Sequence, residues 1–132
     1  MEGKLSVLVL DDEPIVGKRL KPAIEKYGCE VEVFEDPVQA LARLEERPFD
    51  IVITDVRMEQ LSGMKVLERA LARSPRTRVI VITGYATMEV AREALVKGAF
   101  DFLAKPFKPN DLRAVLDRAA KALGHPGLKE TG

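Results

Sequence analysis

The chain has 132 residues, 46% of them hydrophobic and 32% charged, with Lys plus Arg and Asp plus Glu balanced at 21 each. That length suits one domain with a single core and is too short for two ordinary domains. The balanced charge leaves no basic stripe for nucleic acid, the short apolar runs fall far below a membrane span, and the first four residues lack the parts of a signal peptide, so a cytoplasmic chain is expected.

Leu5 to Leu10 (LSVLVL) is a near-continuous apolar run followed at once by Asp11, Asp12 and Glu13, which reads as a buried strand ending in carboxylates. Pro14 suits the first turn of a helix, and Ile15, Val16, Leu20, Ala23, Ile24 and Tyr27 recur at helical spacing until Gly28. Pro22 falls inside this helix and is expected to kink it. Cys29 is the single cysteine, so it forms no internal disulfide; without a neighbouring histidine it reads as a small residue opening a strand rather than a reactive thiol. Val31, Val33 and Phe34 mark the second strand, after which Asp36 caps and Pro37 opens a helix carrying Ala40, Leu41 and Leu44.

Asp50 to Thr54 (DIVIT) is a third strand, and Asp55 stands directly at its carboxyl end. A loop leads to Gly63, after which Met64, Val66, Leu67, Ala70 and Leu71 form the third helix. Arg78 to Ile82 (RVIVI) is the fourth strand with Thr83 at its end, followed by Gly84 and a helix from about Thr87 to Lys97 that Gly98 terminates. Phe100 to Leu103 makes a short fifth strand closed by Lys105 and Pro106, and a last helix of about Asn110 to Leu123 ends at Gly124. His125, the only histidine, lies in a Gly and Pro tail, which removes histidine-based triads and metal sites and argues against a phosphohistidine carrier.

Strands and helices alternate and the strands are apolar on both faces, so the expected fold class is α/β: a doubly wound five-stranded parallel sheet of order 2-1-3-4-5, flavodoxin-like, with five helices. The expected organisation is an N-terminal extension over 1–4, one domain over 5–123 and a tail over 124–132. Ligands of such sheets bind beyond the carboxyl ends of the strands, at the switch point between strands 1 and 3, where Asp11, Asp12 and Asp55 belong.

Strand ends 1, 3, 4 and 5 thus bring Asp11 with Asp12, Asp55, Thr83 and Lys105 to one rim. Converging carboxylates repel unless something positive joins them, and a hard cation such as Mg²⁺ suits an all-oxygen site. Lys105 adds a mobile point charge. An aspartate beside Mg²⁺ can attack a phosphoryl group, giving an aspartyl phosphate, and because GxxxxGK[ST] and GxGxxG are both absent the donor must be presented by another molecule. Taken singly, the acids and Thr83 read as helix or turn caps and Lys105 as a solvated charge; the joint placement carries the argument.

The acidic pair after strand 1, Asp55 after DIVIT, Thr83 in VITGYAT and Lys105 in DFLAKPF resemble the response-regulator receiver family of two-component systems over Leu5 to Leu123. ITGYATMEVA and GAFDFLAKPF are further similar to receivers of nitrogen-regulatory, sigma-54-dependent activators. The resemblance implies that Asp55 is the phosphoacceptor for a partner sensor histidine kinase, and that Asp11, Asp12, Asp55 and the backbone carbonyl of Arg57 hold Mg²⁺. By the same resemblance Thr83 hydrogen-bonds the phosphoryl group, Lys105 pairs with it, Lys105-Pro106 is a cis peptide, and Phe102 changes exposure on activation. The implied function is a phosphorylation-dependent switch, not a turnover enzyme, whose surface of helix 4, strand 5 and helix 5 controls an output domain or partner in transcription regulation and forms a possible homodimer. Glu59 stands where a proline is usual, a departure confined to the loop after Asp55. Tyr85 and Arg57 flank the acceptor, and the bulk of Tyr85 is expected to slow self-dephosphorylation.

In the fourth helix Met88, Val90, Ala91, Ala94 and Leu95 spread over an arc of about 160°, wider than the roughly 100° stripe that packing requires, so apolar surface should stay exposed. Two other functions compete with the switch. An aspartate-nucleophile phosphatase or dehalogenase usually carries a second Asp two residues after the nucleophile, where this chain has Arg57. A receiver-like module that never turns over phosphate would have lost an acceptor or metal residue, and none is lost.

Overall fold

The computed structural model describes residues 3–57, 62–84 and 88–128. The elements run β1 (Ser6–Leu10), α1 (Pro14–Lys26), β2 (Glu30–Phe34), α2 (Pro37–Glu46), β3 (Ile51–Asp55), α3 (Gly63–Arg73), β4 (Arg78–Thr83), α4 (Met88–Val96), β5 (Asp101–Ala104) and α5 (Pro109–Ala122). All strand pairs are parallel, in the order β2-β1-β3-β4-β5. The expected architecture and order are therefore those of the chain.

Local chemistry sets the element ends. Pro14, Pro37 and Pro109 open α1, α2 and α5, where a missing N–H costs nothing. Asp36 Oδ1 accepts from the Val38 amide at 2.8 Å and Ser62 Oγ from the Met64 amide at 3.1 Å, satisfying donors the helix leaves open. α1 continues through Pro22, which faces solvent, so the Lys18 carbonyl that loses its helical donor can bond water. Two strands sit one residue later than expected: β3 takes in Asp55, and β5 begins at Asp101. Asp50, read as the first residue of its strand, lies just before it, and its Oδ2 accepts from the Ser6 amide at 2.8 Å, tying the starts of β1 and β3 together.

Side chains alternate along each strand, so the sheet divides the core in two. Val7, Val9, Ile51, Ile53, Ile80 and Ile82 face α1 and α5, packing on Leu20, Ile24, Leu112 and Leu116. Leu8, Leu10, Val52, Val79 and Val81 face the other way, packing on Leu44, Val66, Leu67 and Ala94. On α4 only Ala94 is buried; Met88 is 78% exposed, Leu95 53% and Val96 80%, which leaves the apolar surface expected there.

The segment after α5 folds back on the domain. Leu128 donates its amide to Asp117 Oδ1 at 3.1 Å and packs against the α1/α5 side of the core, with Gly124 and Gly127 at φ 85° and 123° making the turns. His125 Nδ1 lies 3.0 Å from the Gly127 carbonyl oxygen within that turn. Among the described residues no helix is long and apolar enough to cross a membrane.

Cys29 is buried, and burial first and the nearby Asp50 carboxylate second push its thiol up to about 11. Because the folded value exceeds the ordinary 9.0, the stabilisation from keeping the thiol neutral is complete below that value and is lost as pH rises towards about 11. Iodoacetamide at pH 8 should therefore leave the native chain unmodified and alkylate Cys29 fully in guanidinium; rapid native alkylation, read by intact mass, would contradict this placement.

Candidate functional site

The alternation that builds the core also aims the acids. Asp11 continues the row of Val7 and Val9, Asp55 that of Ile51 and Ile53, and Lys105 that of Leu103, so all three point to the α1/α5 side of the sheet's carboxyl rim. Leu10 pairs with Thr54, which sets Asp11 beside Asp55 on neighbouring strands. The Asp11 amide, 3.1 Å from the Phe34 carbonyl oxygen, fixes where β1 releases its chain.

The Lys105 ammonium closes this cluster. Its Nζ lies 2.6 Å from Asp11 Oδ2 and 2.6 Å from Asp55 Oδ2, with Glu13 Oε1 at 3.0 Å. The other oxygens of the two buried acids are held by backbone: Asp55 Oδ1 accepts from the Arg57 amide and Asp11 Oδ1 from the Glu13 amide, both at 2.9 Å. Lys105-Pro106 is a cis peptide, and the Lys105 amide donates to the Thr83 carbonyl at 2.8 Å.

Three carboxylates around one ammonium leave excess negative charge in a partly buried place. Burial, the largest influence on Asp11, raises its pKa, with the Asp55 charge adding to it and the Lys105 and Glu13 contacts pulling the other way. Burial alone would lower the Lys105 pKa, but the bonds to Asp11, Asp55 and Glu13 outweigh it and hold the ammonium above its ordinary value. The Asp11 shift is thus mainly an effect of burial, whereas the Lys105 shift reflects the carboxylates around it.

Carboxylate oxygens of Asp11, Asp12 and Asp55 all lie within 4.8 Å of one another. Asp11 and Asp55 are buried and Asp12 is exposed. Apart from the ammonium, buried Asp11 Oδ2 meets no donor among the described residues. An all-oxygen acidic set with unspent acceptor capacity and one solvent-facing member fits a hard divalent cation that keeps several waters.

Every one of the expected site residues that is described lies at this rim or on the strand beside it. Thr83 is fully buried at the end of β4, one residue beyond Ile82, the register partner of Asp55. Phe102 is half-buried on the opposite face, packed against the cluster that includes Val81 and Ala94. Arg57 is exposed and lies two residues past the end of β3. The expectations for Glu59 and Tyr85 fall outside the described residues.

Two contributors escaped the reading of the sequence. Glu13 is the third acid of the Asp11-Asp12-Glu13 run, and its contact with Lys105 spans 92 positions of chain, which no local pattern reveals. Gly63 opens α3 with its amide 2.9 Å from the Val56 carbonyl oxygen, and a Cβ built there would come 1.8 Å from the Asp55 carbonyl oxygen. A side chain would push α3 away from the end of β3.

Residues 7–117 match the family described as the response regulator receiver domain. The chain belongs to that family. The receiver is 34% identical over 132 residues to the transcriptional regulatory protein ZraR of Salmonella typhimurium, covering 100% of this chain and 29% of that relative. Among solved structures it is similar to the beryllofluoride-activated NtrC4 receiver domain dimer, with 30% identity, a TM-score of 0.84 and coverage of 89% of this chain and 98% of that one. A response regulator of Burkholderia pseudomallei, solved with a phosphorylated aspartic acid, a calcium ion and citrate, has 26% identity and a TM-score of 0.79 over 92% of this chain and 72% of that one. The likeness agrees with the motif resemblance to receivers of sigma-54-dependent activators. Receivers are signalling switches of two-component systems that bind Mg²⁺ at an acidic pocket and interact with histidine kinases and output domains, and this chain carries an acidic cluster of Asp11, Asp12 and Asp55.

Replacing Gly63 with Ala should cost about 1–3 kcal/mol, the usual penalty of forcing atoms into a closed contact. Gly84→Ala, where a Cβ meets nothing within 4 Å, should leave stability unchanged. Urea midpoints compare the two, and equal stabilities would remove Gly63 from the supports of β3.

Proposed function

We propose that this receiver accepts a phosphoryl group on Asp55 from a sensor histidine kinase and passes the change to its α4-β5-α5 surface. The observation that carries the proposal is the single ammonium of Lys105 held 2.6 Å from both buried acids, Asp11 and Asp55, at the carboxyl rim of a parallel sheet. In the transfer a carboxylate oxygen of Asp55 attacks phosphorus; the new O–P bond forms as the P–N bond to the kinase histidine breaks. The electron pair leaves on the imidazole nitrogen, which takes its proton from solvent. Asp11, Asp12, Asp55 and the Arg57 carbonyl would hold Mg²⁺, which when bound would supply positive charge against the transferred oxygens. Lys105 pairs with one of those oxygens, and the Thr83 hydroxyl donates to another.

Because the chain carries neither GxxxxGK[ST] nor GxGxxG, the donor is presented by another molecule, here the histidine kinase. A cavity of about 590 Å³ opens beside Lys105 between α1 and α5, walled by Leu20, Tyr27, Phe107 and Leu112, and gives such a donor a surface next to the rim. Catalysis here is confined to the chain's own phosphorylation and dephosphorylation, which sets the receiver apart from a turnover enzyme. It works in the cytoplasm, as one domain over 5–123 followed by a tail.

The switch starts at Thr83. Drawing its hydroxyl toward the phosphoryl group moves the end of β4, shifts the loop before α4 and lets the Phe102 ring turn inward, biasing a two-state equilibrium. As Phe102 has no hydroxyl, burial alone holds the inward state. The exposed Met88, Leu95 and Val96 then form part of a surface for a homodimer or for an output domain in transcription regulation. The ZraR likeness supports the transcriptional setting, and the NtrC4 dimer supports the self-association.

Acetyl phosphate with Mg²⁺ should add one phosphoryl group by intact mass. Asp55→Asn or chelation with EDTA should abolish the addition, whereas repeated release of phosphate from small esters would favour the phosphatase rival. Beryllofluoride with Mg²⁺ should shift the NMR resonances from Met88 to Asp111 and raise the sedimentation coefficient; an unchanged spectrum there would reject the switch through Thr83 and Phe102.

A further inference from the structure

An ammonium has three N–H donors, and the rim of this receiver offers Lys105 three carboxylate oxygens, on Asp11, Asp55 and Glu13. A phosphoryl group on Asp55 brings oxygens that compete for the same donors. At least one existing contact must then be given up. Burial decides which, because stripping a partner from a buried acid leaves a charge that water cannot reach. Asp11 and Asp55 have side-chain exposures of 0% and 7%, while that of Glu13 is 60%. The Glu13 carboxylate is therefore the one that water can take over at once.

The backbone of Glu13 stays in place during such an exchange. Its amide donates to Asp11 Oδ1 at 2.9 Å and its carbonyl accepts from the Val16 amide at 3.0 Å, as the N-cap of α1. Its side chain borders the cavity between α1 and α5 that Lys105 also lines, so it has open space to swing into. A fixed backbone, an exposed carboxylate and adjoining space describe an arm that can hold or release the lysine.

We propose that Glu13 is a positioning residue: it holds Lys105 over the rim before phosphorylation and yields it to the incoming phosphoryl group, so the Glu13–Lys105 pair restrains the rate at which Asp55 is modified. The inference rests on Asp55 being the acceptor. It differs from a simple charge effect because it acts through Lys105 alone.

The test is a double-mutant cycle on the full chain with phosphoramidate and Mg²⁺. Glu13→Gln should accelerate phosphorylation about two- to fivefold, the range an exposed ion pair can supply. In the Lys105→Met background the same substitution should leave the rate unchanged. Equal acceleration in both backgrounds would assign the effect to bulk charge and overturn the proposal, as would no acceleration in the chain that keeps Lys105. A second readout needs neither metal nor donor: the ammonium resonance of Lys105, seen by ¹⁵N NMR in the metal-free chain, should move in Glu13→Gln, and an unmoved resonance also rejects the pair. If the unmodified chain takes up no phosphoryl group, the acceptor reading fails and this one falls with it; uptake with no Lys105-dependent change defeats this one alone.

Discussion

The sharing of one lysine among three carboxylates is the constraint around which the receiver is organised. Acids at the ends of adjacent parallel strands repel, and the repulsion grows as the sheet buries them. β1 and β3 are neighbours and deliver Asp11 and Asp55 side by side, so their compensation has to come from elsewhere. It comes from β5, at the edge of the sheet, whose chain carries Lys105 onto the rim one residue past the strand. One positive charge against three acids leaves the site short of cations. A rim with surplus negative charge and an already placed lysine suits the proposed work, because a metal ion and a phosphoryl group arrive with opposite charges.

The pleat of the sheet separates two tasks. Asp11, Asp55 and Lys105 follow one side-chain row, facing α1 and α5; Thr83 and Phe102 follow the other, with Val79 and Val81, facing α4. The acids and the lysine proposed for the transfer thus sit on one face, while Thr83, proposed both to meet the phosphoryl group and to start the switch, follows the row of Phe102. A one-residue slip in β4 or β5 would exchange these roles, so the register that pairs Val81 with Phe102 and Thr83 with Ala104 matters for function as much as for packing. The buried Ile80 and Ile82 on one side and Val79 and Val81 on the other oppose such a slip, since both faces of β4 are closed.

Most of this plan was legible in the chain because its signals are local. LSVLVL, DIVIT and RVIVI are largely apolar on both faces, as only strands covered on both sides can be, and each is followed by a residue that packing does not explain: Asp11, Asp55 and Thr83. Order and handedness then follow from the few topologies open to alternating strands and helices. Boundaries moved by single residues where a polar group sits at a strand end, as at Asp50, whose carboxylate binds the start of β1. What local pattern could not reveal were contacts between distant residues: Glu13 with Lys105, the bare face of Gly63 against the Asp55 carbonyl, and the return of Leu128 to the core. Gly63 was read as the end of a loop, since a glycine needed for close approach looks the same as one needed for a turn.

Lys105 is also where the two rows meet. Its ammonium reaches the acids of the α1/α5 face, while its backbone amide donates to the carbonyl of Thr83, whose side chain belongs to the α4 face. The Thr83 backbone is therefore tied to the residue that a phosphoryl group would engage first, and its buried hydroxyl has little room to adjust alone. Moving the hydroxyl toward Asp55 requires the end of β4 to move with it, and the bond at 2.8 Å couples that motion to the start of the β5–α5 connection. In the proposed switch, this bond would carry a displacement of Thr83 into the β5–α5 connection as well as the loop before α4. The stiffness needed comes from the fully buried strands beneath, which cannot deform gradually and so favour two discrete arrangements.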